Sequence, residues 1–471
     1  MKQSSVTLED KYRVDVGRVY LTGTQALVRL ALLQRALDVA AGRNTAGFIS
    51  GYRGSPLGTV DIQAWHAREQ LQADHIRFQP GVNEDLAATA IWGTQQTSLL
   101  PTAKYDGVFA FWYGKGPGVD RSGDVFRHAN FAGTSANGGV LLVAGDDHAA
   151  KSSTVPHQSE PAFASGLIPV LVPADIGEIL EFGLHGWAMS RWSGRYVGFK
   201  TVADVVDTSA SISFALENFR IRLPEGPPPD VHIRLNDAWL AQEARVYTLG
   251  LPAAQDYARV NGLDRIVLDP PSPALGIVTY GKSYHDTVQA LSDLGGAPVR
   301  LLKLALTWPV DPHVVRRFAE GLSEIVVVEE KSAFVERQIR DILYDLPDRP
   351  RVLGRHDDAG AVLLAAGGEL SADAVALALA RRLPQTDALR ARRAFLEQQA
   401  EYLARADLAS QRKPYFCSGC PHNTSTKVID GSRALAGIGC HFMSQWMDRN
   451  TGFYSHMGGE GAVWIGQSPF T

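Results

Sequence analysis

Three cysteines near the end of the chain are the residues whose type and spacing most directly suggest chemistry. Cys417 and Cys420 form a Cys-x-x-Cys pair, and Cys440 follows in a glycine-flanked turn. Thiolates at such spacings bind soft metal ions or the irons of a cluster. Zinc is one possibility, with His422 or His441 completing a Cys3His set. An iron–sulfur cluster and unligated thiols are the others, and spacing alone leaves all three open.

The remaining composition is that of a folded, near-neutral chain. The 471 residues are 45% apolar and 20% charged, and 46 Lys and Arg face 50 Asp and Glu, for a net charge of −4. This predicts several domains with buried cores and excludes a disordered chain and a polybasic nucleic-acid binder. Three cysteines are too few for a disulfide scaffold. Because no signal peptide and no apolar run of membrane-spanning length is present, we predict a cytoplasmic protein without nucleic-acid or membrane partners.

Short apolar runs alternate with stretches that suit helices, beginning with an amphipathic helix at 24–41. This alternation predicts an α/β fold built from open parallel sheets with helices on both faces. Ligands bind beyond the carboxyl ends of such strands, so the loop 52–58 is well placed for a site. The runs that we interpret as strands are 47–51, 107–112, 139–144, 168–172, 274–279, 299–304 and 324–329.

Proline-rich breaks and a charged helical stretch divide the chain. We interpret 223–229 as a surface connection and 269–273 as an interdomain linker, after which helices are predicted at 283–294 and 311–321. The last stretch, about 60 residues long, is too short to bury its own core, so we expect the chain to be a fragment that further sequence completes. The predicted divisions are a first domain at 1–268, a second α/β domain at 269–385, a helical linker at 386–411 and the truncated start of a third domain at 412–471.

Six motifs spread over nearly the whole chain share one resemblance. They are Thr22-Gly-Thr-Gln-Ala-Leu27, Gly51-Tyr-Arg-Gly-Ser-Pro56, Asn83-Glu-Asp-Leu-Ala87, Val327-Val-Glu-Glu-Lys-Ser-Ala-Phe-Val335, Phe416-Cys-Ser-Gly-Cys-Pro-His422 and Gly437-Ile-Gly-Cys440. Taken in order, they resemble the thiamine-diphosphate-dependent 2-oxoacid:ferredoxin oxidoreductases, specifically the indolepyruvate ferredoxin oxidoreductases. The resemblance implies a thiamine-diphosphate-binding fold. Its domains would be a pyrimidine-binding domain, a transketolase C-terminal-like domain and the start of a diphosphate-binding domain.

For the first domain, the resemblance implies that Glu84 is the catalytic carboxyl that activates the cofactor. The local sequence is compatible, since a carboxyl group buried by the apolar helix that follows would have a raised pKa; the alternative is that Glu84 complements a helix dipole. The resemblance also assigns Arg53, Gly54 and Ser55 to a cofactor-binding loop. Arg53 could pair with a substrate carboxylate or be a solvated loop residue. Lys115 lies in a glycine-rich stretch that we interpret as an active-site loop near substrate or coenzyme A.

For the last 60 residues, the resemblance implies that Cys417, Cys420 and Cys440 are ligands of a 4Fe–4S cluster. It places Gly439, His441 and His456 near the diphosphate half of thiamine diphosphate. The family's Mg²⁺-binding Gly-Asp-Gly motif and its fourth cluster cysteine do not occur in this sequence. We therefore expect this chain by itself to be inactive.

The implied activity is oxidative decarboxylation of an aryl 2-oxoacid, of the indolepyruvate type, to an acyl-CoA. Electrons would pass through the cluster to ferredoxin, and the chain would form a homodimer. Two alternatives remain from the residues. One is a non-oxidative thiamine-diphosphate-dependent decarboxylase or transferase with a structural zinc. The other is a non-catalytic zinc-binding scaffold subunit.

Overall fold

A computed structural model describes residues 7–15, 17–226, 229–405 and 413–471. Small parts of the predicted connection at 223–229 and of the predicted linker at 386–411 lie outside these residues. The chain divides into two units. Unit 1 comprises Met1–His148 and His157–Arg393, and unit 2 comprises Ala149–Pro156 and Ala394–Thr471.

The strands of the described residues have the following bounds, numbered along the chain: β1 (Arg18–Thr22), β2 (Thr45–Gly51), β3 (Ile76–Phe78), β4 (Gly107–Lys115), β5 (Val140–Asp146), β6 (Val170–Leu171), β7 (Val197–Val202), β8 (Ser209–Ser213), β9 (Arg265–Leu268), β10 (Leu275–Tyr280), β11 (Val299–Leu304), β12 (Leu306–Trp308), β13 (Glu324–Val328), β14 (Arg351–Leu353), β15 (Ala434–Ala436) and β16 (Thr451–Tyr454).

The α-helices are α1 (Gly23–Ala40), α2 (Val60–His66), α3 (Arg68–Ala73), α4 (Glu84–Gln96), α5 (Gly116–Arg121), α6 (Gly123–Ala132), α7 (Glu160–Ser165), α8 (Ile176–Ser193), α9 (Ala203–Val206), α10 (Trp239–Arg245), α11 (Leu251–Val260), α12 (Lys282–Asp293), α13 (Pro312–Ala319), α14 (Val335–Leu343), α15 (Ala372–Ala380), α16 (Asp387–Ala404), α17 (His422–Ser425) and α18 (Val463–Gln467).

Unit 1 is built on two sheets. The larger has the order β12-β6-β7-β5-β4-β2-β3, and all of its strands are parallel except β12. The smaller has the order β14-β13-β10-β11-β9, in which β9 alone is antiparallel to its neighbour. Strands β1 and β8 form a separate antiparallel pair. The prediction of an α/β fold with open parallel sheets is confirmed.

Strand β4 shows why the runs of the larger sheet are apolar without alternation. Phe109, Phe111 and Tyr113 belong to a core with buried residues of α1 and α8. Ala110 and Trp112 belong to a second core with residues of α4 and α6. Because both faces of the sheet are covered by helices, every position of the strand except the half-buried Val108 is buried, as expected for a parallel sheet.

The predicted elements occur with small shifts at their ends. The helix predicted at 24–41 is α1, and those predicted at 283–294 and 311–321 are α12 and α13. The run at 168–172 forms only the two-residue strand β6, because the flanking prolines, Pro169 and Pro173, have no backbone N–H to donate to a ladder.

The domain divisions predicted from the sequence remain predictions, and the two sheets of unit 1 are formed by partly interleaved segments of the chain. Arg265–Leu268 lies in the smaller sheet, and Leu306–Trp308 pairs with β6 of the larger one. The predicted boundary at 268/269 remains a prediction.

Unit 2 contains the parallel pair β15–β16 and a 3₁₀ helix, Gly439–Trp446, next to it. Helix α16 covers most of the stretch predicted as a helical linker. Across the described ranges, every helix is too short or too polar to cross a bilayer.

Candidate active site

Glu84 is the first residue of α4, and it lies at the carboxyl edge of the larger sheet of unit 1. Asn83 caps the helix, its Oδ1 accepting a hydrogen bond from Leu86 N at 3.0 Å. Nε1 of the buried Trp112 in β4 donates to the backbone oxygen of Glu84 at 2.9 Å. Glu84 itself is only 2% exposed. The first turn of α4 is therefore anchored to the sheet.

Two glycines allow close approach around Glu84 and Lys115. A Cβ on Gly118 would lie 2.6 Å from Cγ of Glu84, and a Cβ on Gly54 would lie 2.8 Å from Cδ of Lys115. Contacts this short do not occur with a side chain in place. The structure thus brings the loop after β2, the end of β4 and the start of α4 together at one edge.

The pKa values of Glu84 and Lys115 are shifted in opposite directions. Burial raises the pKa of Glu84, while Arg121 and Lys115 oppose that rise. Burial lowers the pKa of Lys115, against the attraction of Asp147 and Glu84. A buried carboxyl group with a raised pKa can hold a proton near neutrality and donate it to a ligand.

Arg53 and Ser55 lie on the loop that follows β2, and both are exposed. The start of this loop is fixed to the sheet by Tyr52 N, which donates to Tyr113 O at 3.0 Å. Gly54 of this loop packs against the side chain of Lys115.

A histidine outside the predicted motifs, His157, lies on the other side of the first turn of α5, residues 116–118. Nε2 of His157 is 2.8 Å from Asp120 Oδ2, and Nδ1 is 3.4 Å from Asp146 Oδ1. Ser159 Oγ donates to the same Asp146 oxygen at 2.5 Å. A Cβ on Gly116 would lie 2.2 Å from Cγ of His157. The turn is therefore held between His157 and Glu84.

The charge on His157 predicts a pH-dependent stability. Burial opposes its protonation, but hydrogen bonds to Asp120 and Asp146 raise the pKa of His157 to about 9, whereas the pKa of Asp146 falls to about 2. The folded chain therefore binds the His157 proton more tightly than the unfolded chain does. The resulting contribution of His157 to the free energy of unfolding is complete below pH ~6.5 and is lost as the pH rises through about 9.

We expect the free energy of unfolding, measured by denaturant titration, to fall by ~2 kcal/mol between these pH values. His157→Gln should flatten this slope. His128→Gln, on a side chain that is 62% exposed, should leave it as in the parent chain. Equal slopes in the parent and His157→Gln would show that His157 does not hold this charge.

A buried hydrogen bond links the loop after β5 to the residues that follow β13 of the smaller sheet, where Nδ1 of His148 lies 2.6 Å from Glu330 Oε2. Next to it, within the larger-sheet region, Nζ of Lys200 donates to Glu160 Oε1 at 2.9 Å. Glu330 also accepts from Leu370 N at 2.9 Å. These contacts involve the predicted motif at 327–335 and fix the loop after β5.

The predicted ligands of unit 2 lie on two neighbouring turns. Cys420 N donates to Cys417 O at 3.1 Å, and Cys420 Sγ is 3.4 Å from His422 Nδ1. The ring of His422 stacks on that of His441 with centroids 6.0 Å apart, which brings the turn of Cys440 next to the first one.

The three thiols are free, Cys417 and Cys440 being exposed and Cys420 half-buried. Within the described part of the chain, no three His, Cys, Asp or Glu side chains gather as ligands of a metal ion. The arrangement thus supplies soft donors on adjoining turns, and their role as ligands remains a prediction.

The three other predicted residues of unit 2 have defined local conformations or contacts. Gly439 begins the 3₁₀ helix with a φ of +74°, a left-handed conformation that favours glycine. His456 packs on Gly459, where a Cβ would lie 2.5 Å from its Cε1. His441 Nδ1 accepts from Gly437 N at 3.0 Å.

Comparisons with known proteins agree with this architecture. Residues 265–407 match the family model described as "Indolepyruvate oxidoreductase domain". Indolepyruvate oxidoreductase subunit IorA of Methanothermobacter thermautotrophicus is 25% identical over 344 residues, which are 70% of this chain and 50% of that protein. IorA of Pyrococcus horikoshii is 24% identical over 460 residues, 94% of this chain and 64% of that protein. The chain thus spans about half to two thirds of the length of these relatives.

Among solved structures, a 2-oxoglutarate:ferredoxin oxidoreductase from Magnetococcus marinus is similar, with a TM-score of 0.54 and 12% identity, over 78% of this chain and 66% of that one. The chain is therefore a multidomain α/β protein with parallel sheets, similar in fold to this oxidoreductase. By sequence it is a distant IorA-like relative, similar to the indolepyruvate oxidoreductase family.

Proposed function

We propose that this chain is part of an oxidoreductase that converts an aryl 2-oxoacid of the indolepyruvate type to an acyl-CoA. In this reaction the bond between the keto carbon and the carboxylate breaks and CO2 leaves. A thioester bond to coenzyme A forms, and two electrons reduce two ferredoxins. The observation that carries the proposal is the buried Glu84 carboxyl with its raised pKa at the carboxyl edge of a parallel sheet.

The residues around Glu84 fit the aminopyrimidine half of thiamine diphosphate. When bound, this cofactor supplies the nucleophilic carbon and the electron sink that decarboxylation of a 2-oxoacid needs. Glu84 would hold a proton at its carboxyl group and share it with the ring nitrogen N1′. Gly118 packs directly against Glu84, so a side chain at position 118 would displace this carboxyl group.

Other residues of unit 1 would position the substrate. Arg53 is exposed on the loop after β2, and its guanidinium matches a carboxylate in geometry. Lys115 places a second cation beside Glu84. Together they favour an anionic substrate over a neutral one.

The donor set of unit 2 fits an iron–sulfur cluster in its chemistry, because Cys417, Cys420 and Cys440 are soft thiols on adjoining turns. We propose these three residues as ligands of a 4Fe–4S cluster that passes single electrons to ferredoxin. Gly439, His441 and His456 are proposed near the Mg²⁺-bound diphosphate of the cofactor. The assembly would contain two copies of this chain.

The proposal is tested with the protein purified anaerobically together with its partner chains. We expect CO2 release from indolepyruvate that depends on thiamine diphosphate, together with ferredoxin reduction that depends on coenzyme A. CO2 release without ferredoxin reduction would favour a non-oxidative decarboxylase. Absence of thiamine diphosphate binding would favour a scaffold subunit.

Cys417→Ser is expected to remove most of the cluster iron and to abolish ferredoxin reduction, because serine is a poor ligand of the cluster irons. The measurement is iron content together with the visible absorption that dithionite bleaches. Ser418→Ala, the next residue, is the matched control and should retain both. A colourless parent protein with stoichiometric zinc would overturn the cluster assignment.

A further inference from the structure

A cavity of about 500 Å³ lies between α1 and α8 in unit 1. Arg43, which precedes β2, and Ala136, which precedes β5, line it. It is therefore at the amino edge of the larger sheet, whereas Glu84 lies at the carboxyl edge. We call it the amino-edge cavity. It has no part in the proposed function.

The walls of the amino-edge cavity are mainly apolar. Leu37 of α1, Ala41 directly after α1, and Ala188 and Trp192 of α8 line the cavity together with Leu223. Leu223 is 58% exposed, so its apolar surface is left in water. A cavity of this volume, with an apolar wall and a few polar groups, is typical of sites for small organic ligands.

The charged side chains that line this cavity, Asp38, Arg43 and Arg191, leave an excess of one positive charge. Asp38 is buried, and Arg191 donates to both of its oxygens, at 2.6 and 2.7 Å. Thr45 Oγ1 donates to it as well, at 2.8 Å. Nη1 of Arg43 is 3.6 Å from Oδ1 of Asp38, and the Arg43 side chain is 47% exposed. Two arginines thus face one carboxylate whose hydrogen bonds are already made.

His232 adds a neutral polar group to the same wall. Burial lowers its pKa, so its ring is uncharged at neutral pH. Its Nδ1 is buried and has no hydrogen-bond partner among the residues that the structure describes. A buried ring nitrogen without a partner is costly unless a ligand or water satisfies it.

We propose that the amino-edge cavity binds a small aromatic carboxylate. The ring would pack against Trp192 and Leu223, and the carboxylate would pair with Arg43 within reach of His232. A neutral ligand would leave the excess positive charge unpaired, whereas a phosphate dianion would bring one negative charge more than the cavity can pair. A single carboxylate on a flat apolar body matches both the charge and the wall.

Calorimetric titration of the full chain with indole-3-acetate and with its neutral analogue indole-3-acetamide tests this site. We expect the acid to bind at least about tenfold more tightly than the amide, since one charge-assisted hydrogen bond contributes that much. Arg43→Met should abolish this preference and leave amide binding unchanged. Arg316→Met, an exposed arginine on α13, should retain it.

Ala41→Trp should weaken binding of both probes, because the larger side chain occupies the cavity; circular dichroism checks that this variant is folded. Equal affinity for the acid and the amide, or no binding of either, would overturn the proposal. So would an unchanged preference in Arg43→Met. Binding is measured without turnover, so the result does not depend on the proposed activity.

Discussion

Glu84→Gln is expected to lower the rate of 2-oxoacid decarboxylation by roughly 10²–10⁴-fold, the range that a positioned proton donor contributes. Glutamine keeps the shape of the side chain and leaves the Trp112 hydrogen bond to the backbone in place. It cannot release a proton at neutral pH. Because burial already disfavours the charged carboxylate, the substitution should change the free energy of unfolding little. The expected signature is a loss of rate without a loss of stability.

The neighbouring carboxylate provides the control for Glu84→Gln. Asp85 carries the same group one residue further along α4, but it points to solvent, where it pairs with Arg121 at 2.9 Å. Asp85→Asn should therefore retain most of the rate. The measurements are CO2 release from indolepyruvate and quenching of tryptophan fluorescence by thiamine diphosphate. Equal losses in both variants, or full activity in Glu84→Gln, would leave Glu84 only the role of complementing the helix dipole.

Much of the fold follows from local patterns in the sequence. The uninterrupted apolar runs of β4 and β5 predict strands buried on both faces, and Asn83 before Glu84 predicts the start of a helix. These signals are local, since a strand or cap is specified by a few consecutive residues. The general rule for parallel sheets also predicts that the loop 52–58 lies at a site, whereas Glu84 was selected through the family resemblance.

The contacts that complete the site do not follow from local patterns. His157 is 37 residues from Asp120, and His148 is 182 residues from Glu330. Which polar residues meet at a sheet edge depends on strand order, and the larger sheet places β5 next to β7 rather than β6. One weak signal was present: Asp146 ends a wholly apolar strand, and a buried carboxylate requires a partner.

Gly118→Ala is expected to lower the free energy of unfolding by about 1–3 kcal/mol, the cost of overpacking a filled interior. The added methyl group would lie 2.6 Å from Cγ and 3.1 Å from Oε1 of Glu84. Neither side can yield easily, because the turn also packs against His157 through Gly116. If the strain is relieved by moving Glu84, a shift of about 1 Å in a catalytic group would lower the rate roughly 10²-fold.

Gly93→Ala separates this steric effect from the general effect of replacing a helical glycine. Gly93 lies inside α4, the helix that Glu84 begins, and nothing lies within 4 Å of a Cβ placed there. Alanine should therefore stabilise the chain by about 0.5–1 kcal/mol. We expect the change in the free energy of unfolding, measured by denaturant titration, to have opposite signs in the two variants, and activity to be lost only in Gly118→Ala. This result would show that position 118 must lack a side chain for Glu84 to keep its position. If Gly118→Ala is as stable and as active as Gly93→Ala, the close packing of Gly118 on Glu84 has no role in the site.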